Sequence, residues 1–331
     1  MADDRVLLAG FGKAMVLDRS GTVSLGFGNN GVLAPASYTE NARTYDVGRF
    51  VLDGQNSGFW STAIARASTT FPQHVRRFDA NGAALGAPIP TEGSAFEVAA
   101  LREGASADTA GTLYLAVGKL ELDEIYQGAH RVTREGVTSA WVYHTTGEHS
   151  IGSRGPLASV HAFAHRDGDH YAHGPALTFG DGIGAVFKIL ANGSADPAFS
   201  PVPASADAIV RVGPQNLYVM ESNRVYARVR TTGAVQASFT GGGGTVGELT
   251  LIDAPPSAAI VDEQDRFYMV QGPMLFRYTA AGVFDGAFSP RRLESVESAP
   301  GGRVILGLAP NRVLVSHCTP GGQQTTYGYA R

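Results

Sequence analysis

The sequence is poor in three things, and each shortage excludes something. Cys318 is the single cysteine among 331 residues, so an intramolecular disulfide and a CxxC metal or redox pair are both excluded. Charged residues make up only 17% of the chain, against roughly 25% in an average globular domain. Neither sign dominates: 26 Lys and Arg face 30 Asp and Glu, for a net charge of −4. With no basic excess to neutralise phosphates, nucleic acid is not an expected partner. Long apolar runs are also missing, so no membrane insertion is expected. The start, Met1-Ala-Asp-Asp-Arg-Val, has an acidic flank unlike a signal peptide. The expected location is cytoplasmic, virion-associated, or exported without a cleaved signal.

What the chain has in abundance is backbone punctuation, with 42 Gly and 17 Pro. These residues cost roughly 1 and 3 kcal/mol in helix interiors, which argues against a helical bundle. A hydrophobic content of 44% argues against disorder. A turn-rich, all-β protein remains.

One element recurs: an apolar strand, a small polar turn ending in Gly, and an aromatic residue six positions later. The turn glycines are Gly21, Gly82, Gly136, Gly193, Gly233, Gly282 and Gly321. Four residues before them stand Leu17, Phe78, Val132, Ile189, Val229, Tyr278 and His317, and six of these seven are apolar. Five residues before stand Val16, Arg77, Arg131, Lys188, Arg228, Arg277 and Ser316, and five of these are basic. Six residues after stand Phe27, Phe199, Phe239, Phe288 and Tyr327, with Pro88 and Val142 as exceptions. Adjacent strand positions point to opposite faces, so an apolar residue beside a basic one reads as one buried and one polar face. The glycine ends a tight turn that needs positive φ.

The mean spacing of these glycines, about 50 residues, is that of propeller repeats. Each also follows a hairpin, for example AIVDEQDRFYMVQG from Ala259 and VESAPGGRVILGL from Val296. The expected fold is therefore a single all-β domain over 1–331. It is a β-propeller of seven blades, with six or eight as alternatives, and about four antiparallel strands per blade. Thr325 to Ala330 is expected to pack beside the first blade and so close the ring.

The segments GSADPAF (Gly193 to Phe199) and GVFDGAF (Gly282 to Phe288) resemble the G-x-x-D-x-x-F core of delta-60 repeats. FGNNGV (Phe27 to Val32) resembles the segment that follows that core, and the AIVDEQDRFYMVQG hairpin its other half. The diagnostic Asp stands only at Asp196 and Asp285, with Ser24, Leu85, Gln236 and Gln324 in its place elsewhere. The resemblance implies a bacterial, propeller-like repeat protein and no reaction.

Six of the nine histidines lie between His144 and His173. In HRDGDH the pair Asp167-Gly168 signals a two-residue hairpin, which sets His165 opposite His170. Such a pair is a candidate transition-metal chelate, with a third ligand from His144 or His149. No other cofactor is expected: the acidic turns at Asp79 and Asp167 lack the ligand steps of a calcium loop. Gly241–Gly244 has no following Gly-Lys-Ser/Thr and reads as a loop. The basic column Arg77, Arg131, Lys188, Arg228 and Arg277 is either a set of anion-binding groups or the polar face of one strand per repeat. Trp60 and Tyr38 are candidate contact residues. The leading expectation for function is a non-enzymatic binding or assembly module for a protein or glycan. The alternatives are a metal-dependent, lactonase- or lyase-like propeller enzyme using the axial channel, and a structural component of a virion, appendage or secretion apparatus.

Overall fold

The computed structural model describes residues 5–10, 13–18, 20, 22–34, 38–40, 43–52, 58–65, 72–94, 105–107, 111–121, 124–145, 162–179, 183–205, 208–241, 243–251, 255–298, 302–309, 311–319 and 324–331. The architecture is an all-β propeller of small antiparallel sheets, each made from strands consecutive in the chain. Two compact units divide it, Met1–Ala195 and Asp196–Arg331. No described helix is long and apolar enough to cross a membrane.

The first unit holds four sheets. One comprises β1 (Val6–Gly10), β2 (Lys13–Leu17) and β3 (Val32–Leu33). The next comprises β4 (Tyr38–Glu40), β5 (Arg43–Leu52), β6 (Gly58–Ala65), β7 (Pro72–Asp79) and β8 (Ala84–Ser94). Then come β9 (Ala105–Ala107), β10 (Leu113–Glu121), β11 (Glu124–Val132) and β12 (Thr138–Thr145). Last are β13 (Ala162–Arg166), β14 (Asp169–Phe179) and β15 (Ile183–Ile189).

The second unit begins with the short β16 (Val202–Pro203). Its first sheet is β17 (Ile209–Val212), β18 (Asn216–Glu221), β19 (Arg224–Val229) and β20 (Glu248–Thr250). The second is β21 (Pro256–Val261), β22 (Phe267–Gln271), β23 (Met274–Tyr278) and β24 (Arg291–Arg292). After α1 (Glu294–Ser298) the last sheet is β25 (Arg303–Ala309), β26 (Arg312–Cys318) and β27 (Gln324–Ala330). The first strands of these three sheets pack on one another, β17 on β21 and β21 on β25.

The repeat turn has one geometry. φ is +85° at Gly82, +84° at Gly136, +86° at Gly193, +72° at Gly233 and +77° at Gly282; Gly21 and Gly321 lie outside the described residues. Around Gly282, Thr279 N–H donates to Val283 O at 2.9 Å and Gly282 N–H to Thr279 O at 2.9 Å. Two residues in a turn followed by a left-handed glycine make a bulged hairpin connection.

Downstream, a second turn places the aromatic. The N–H of Phe27, Phe199, Phe239 and Phe288 donates to the carbonyl three residues earlier at 3.0, 3.1, 3.1 and 3.0 Å. Where that earlier residue is aspartate, its side chain starts the turn: Asp196 and Asp285 each accept from the N–H two residues on, at 2.9 and 3.1 Å. All four rings are buried, between 0 and 4% exposed.

The ring then covers the next repeat turn. The residue after it donates its N–H to the carbonyl preceding the next repeat glycine: Gly28 to Asn81 at 2.8 Å, Ser200 to Thr232 at 2.7 Å, Thr240 to Ala281 at 3.0 Å. At Gly282 a Cβ would stand 2.6 to 2.9 Å from three ring carbons of Phe239. Glycine is therefore required there by close approach as well as by φ.

Cores lie between successive sheets. In the second unit Tyr218, Phe239, Phe267 and Met269 bring β18, β22 and the repeat aromatic together, with Tyr218 and Phe267 5.1 Å apart. A second core joins Tyr268, Leu275, Phe288, Val313 and Val315. In the first unit Trp60, Val75, Leu113 and Val132 form a cluster.

One sequence expectation needs correction. VESAPGGRVILGL reads as a hairpin, but Glu294–Ser298 is helical. Leu293 O accepts from Val296 N at 3.0 Å, Arg292 grips Glu297, and two glutamates suit the N-terminal turn. β27 pairs with β26 along its whole length as a strand of the last sheet.

Candidate functional site

The histidine hairpin has the register that Asp167-Gly168 implies. Asp167 and Gly168 have φ of +52° and +81°, the two left-handed residues of a type I′ turn, and His165 pairs directly with His170. His170 is half-buried, its ring centroid 5.0 Å from that of Tyr114. The neighbouring positions project to the opposite face, where Lys188 Nζ meets Asp169 at 2.9 Å and Tyr171 hydroxyl donates to Asp169 at 3.5 Å. His144 stands on another sheet, opposite Gln127 in the β11–β12 ladder, and His149 lies outside the described residues. Among the described residues, no group of three or more His, Cys, Asp or Glu is arranged to hold a metal ion.

The basic column makes contacts within the chain, and one of its members, Arg277, is buried. Arg277 is 4% exposed; it pairs with Asp285 at 2.8 Å and lies over the Phe288 and Tyr268 rings at 5.0 and 5.9 Å. Burial acts to lower the Arg277 pKa, but Tyr268 and Asp285 outweigh it and hold the pKa above its ordinary value. Arg228 lies over Tyr226 at 5.5 Å and donates to the Ala227 and Gly247 carbonyls at 3.0 and 3.3 Å. Arg131 donates to Ala191 O at 3.5 Å. Lys188 is held by Asp169, and Arg77 is half-buried opposite Trp60 and Leu85. Described positions of the column thus serve internal contacts, Arg277 as an ion pair beneath the repeat turn.

Trp60 needs the same correction as a contact candidate. It is fully buried, and its Nε1–H donates to Gly111 O at 3.3 Å. Tyr38 stands opposite Tyr45 at the start of the β4–β5 pair.

Sequence reading missed three features. The first is apolar exposure. Nine large apolar side chains are exposed among the described residues, and seven stand within four residues of a repeat glycine: Leu25, Leu85, Val137, Leu190, Val235, Val283 and Phe284. Phe284, 44% exposed, packs edge-on against Tyr278 at 6.1 Å and Phe276 at 6.5 Å. Their offsets from the glycine range from three before to four after, so the signal is nearness to the repeat turn and no single aligned position. The second is Asp262, fully buried at the β21–β22 turn. It accepts from Gln264 and Arg266 N–H at 2.9 and 3.0 Å and pairs with Arg266 and Arg331 at 2.7 and 3.0 Å. Burial works to raise its pKa, and these donors, Arg266 foremost, bring it below the ordinary 3.8. The third is His317, fully buried and, among the described residues, with no hydrogen-bond partner at either ring nitrogen. It occupies the apolar column, between Val304 and Thr325 in the ladder.

No protein-family model matches the chain, and no curated protein matches it. Solved structures do resemble it in fold. Kluyveromyces lactis Hsv2 aligns with a TM-score of 0.53 at 6% identity, over 99% of this chain and 95% of that one. A gluconolactonase of Xanthomonas campestris aligns at 0.45 and 14% identity, over 86% and 92%. A calcium-binding protein described as regucalcin, from Agrobacterium tumefaciens, aligns at 0.40 and 12% identity, over 81% and 80%. At these identities the likeness is one of fold.

Proposed function

We propose that this chain is a propeller of delta-60-like repeats that serves as a binding scaffold for a protein or glycan, engaged through the apolar side chains beside its repeat turns. The observation that carries this reading is the placement of exposed apolar groups: seven of nine follow the repeat rather than scattering. Single exposed apolar residues are ordinary; their concentration beside the repeat turns supports the reading that these turns make contacts. The arrangement offers shape and apolar area and requires no reacting group. The test is binding to a panel of oligosaccharides and, by crosslinking, to proteins of the source cell, with wild type set against Val283→Ser/Phe284→Ser and Val137→Ser. Loss of the same partner in these variants, with unchanged melting, supports the scaffold. Variants that bind as wild type sink it.

A second reading, a metal-dependent propeller enzyme of lactonase or lyase type, has one observation in its favour: the direct pairing of His165 with His170. A borderline transition metal suits two imidazoles with water completing the shell. Elemental analysis of the purified chain, with His170→Ala as control, tests it. A stoichiometric metal lost in the variant, together with lactone hydrolysis that needs it, would move the function to this reading.

A further inference from the structure

Sheet edges invite pairing, and proteins guard them with short strands, prolines, charges or bulges. In this chain the last strand of most sheets is guarded. β3 and β24 have two residues each and β20 has three. β8 has eleven, but it carries Pro88, Pro90 and Glu92 and meets β7 through two register shifts. β12 meets β11 through a shift between Ala129 and His130.

β27 has none of these guards. Its seven residues pair with β26 from Cys318↔Gln324 to Arg312↔Ala330 without a shift. The strand Gln-Thr-Thr-Tyr-Gly-Tyr-Ala contains no proline and no charge. Among the described residues, no strand pairs with its other edge. The first strand of the same sheet, β25, differs in that β21 packs against it. The cation that follows β27, Arg331, is held by Asp262 at 3.0 Å. Gly328 and Ala330 are exposed, so a strand approaching this edge meets small residues there.

We propose that β27 is an interface for a second copy of this chain, two β27 strands pairing antiparallel across a two-fold axis. A two-fold contact sets a patch against itself, and an uncharged antiparallel strand is self-complementary: each outward N–H finds an outward C=O of the same sequence, and no like charges are opposed. Thr and Tyr are also favoured residues for cross-strand pairs.

The test is sedimentation of the full chain across a dilution series, wild type against Gly328→Glu and Ala330→Glu. A Cβ at Gly328 would lie 3.4 Å from Leu314 and 3.7 Å from Arg312, ordinary contact, and Arg312 also faces Ala330 in the ladder, so either glutamate meets a cation within the folded chain. The expected result is a wild-type dimer that dissociates on dilution, weakened about tenfold or more by either glutamate, with a melting temperature no lower than that of wild type. A wild-type chain monomeric throughout, or a dimer indifferent to both glutamates, overturns the proposal. So does a monomer whose β27 edge takes up only a peptide of unrelated sequence.

Discussion

Replacing Gly282 by alanine measures two constraints at one atom. The φ of +77° costs an L-residue roughly 1–2 kcal/mol. The new Cβ would also stand 2.6 to 2.9 Å from three carbons of the Phe239 ring, inside contact distance. Relief requires the ring to shift within a core it shares with Tyr218 and Phe267, 6.1 Å away on either side. Overpacking of this kind costs about 1–3 kcal/mol. Gly282→Ala should therefore lose about 2–5 kcal/mol in total. Gly86 is the control: its φ is +85°, yet nothing lies within 4 Å of its Cβ position, so Gly86→Ala should lose only the backbone share. Urea unfolding reads both, as a midpoint shift at unchanged slope on the transition that each variant perturbs. In the Phe239→Leu background, where the ring is gone, the excess loss at Gly282 should shrink. Equal losses for Gly282→Ala and Gly86→Ala would refute the idea that the repeat glycine is required by the aromatic above it.

Three other outcomes follow from buried polar groups. His317→Leu removes two unpaired imidazole nitrogens from an apolar setting and should raise stability by about 1–2 kcal/mol in urea; a loss of that size would show that His317 has a partner. Asp285→Ala strands the Arg277 guanidinium, 4% exposed, and should cost about 3 kcal/mol, largely recovered by adding Arg277→Met; no recovery in the double variant contradicts the pairing. The lowered pKa of Asp262 makes its contribution complete above the ordinary 3.8 and lost as pH falls through the lower folded value. Asp262→Asn should therefore flatten the acid limb of a stability–pH curve, and an unchanged limb would count against it.

How far the sequence discloses this protein depends on whether a contact is repeated. The glycine column and the aromatic six residues later are legible because each imposes its own local requirement, a left-handed φ and a ring folded back by a three-residue turn. The hairpin at Asp167-Gly168 is legible for the same reason, and it sets the His165–His170 register. The basic column misleads because alternation implies a polar face, while the partner that draws Arg277 inward lies across the turn at Asp285. That spacing, five before the glycine and three after, was present in the sequence. Lys188 and Asp196 have the same spacing, and Lys188 also meets Asp169 at 2.9 Å, at the start of the strand whose ladder sets Tyr171 opposite Lys188. A cation beneath the turn thus answers to carboxylates within its own hairpin as well. The same reasoning explains His317: its repeat turn has an imidazole where others have an apolar side chain, and no local rule supplies its hydrogen bond. Periodic positions establish the scaffold, and the departures from period are where this chain's own contacts have to be sought.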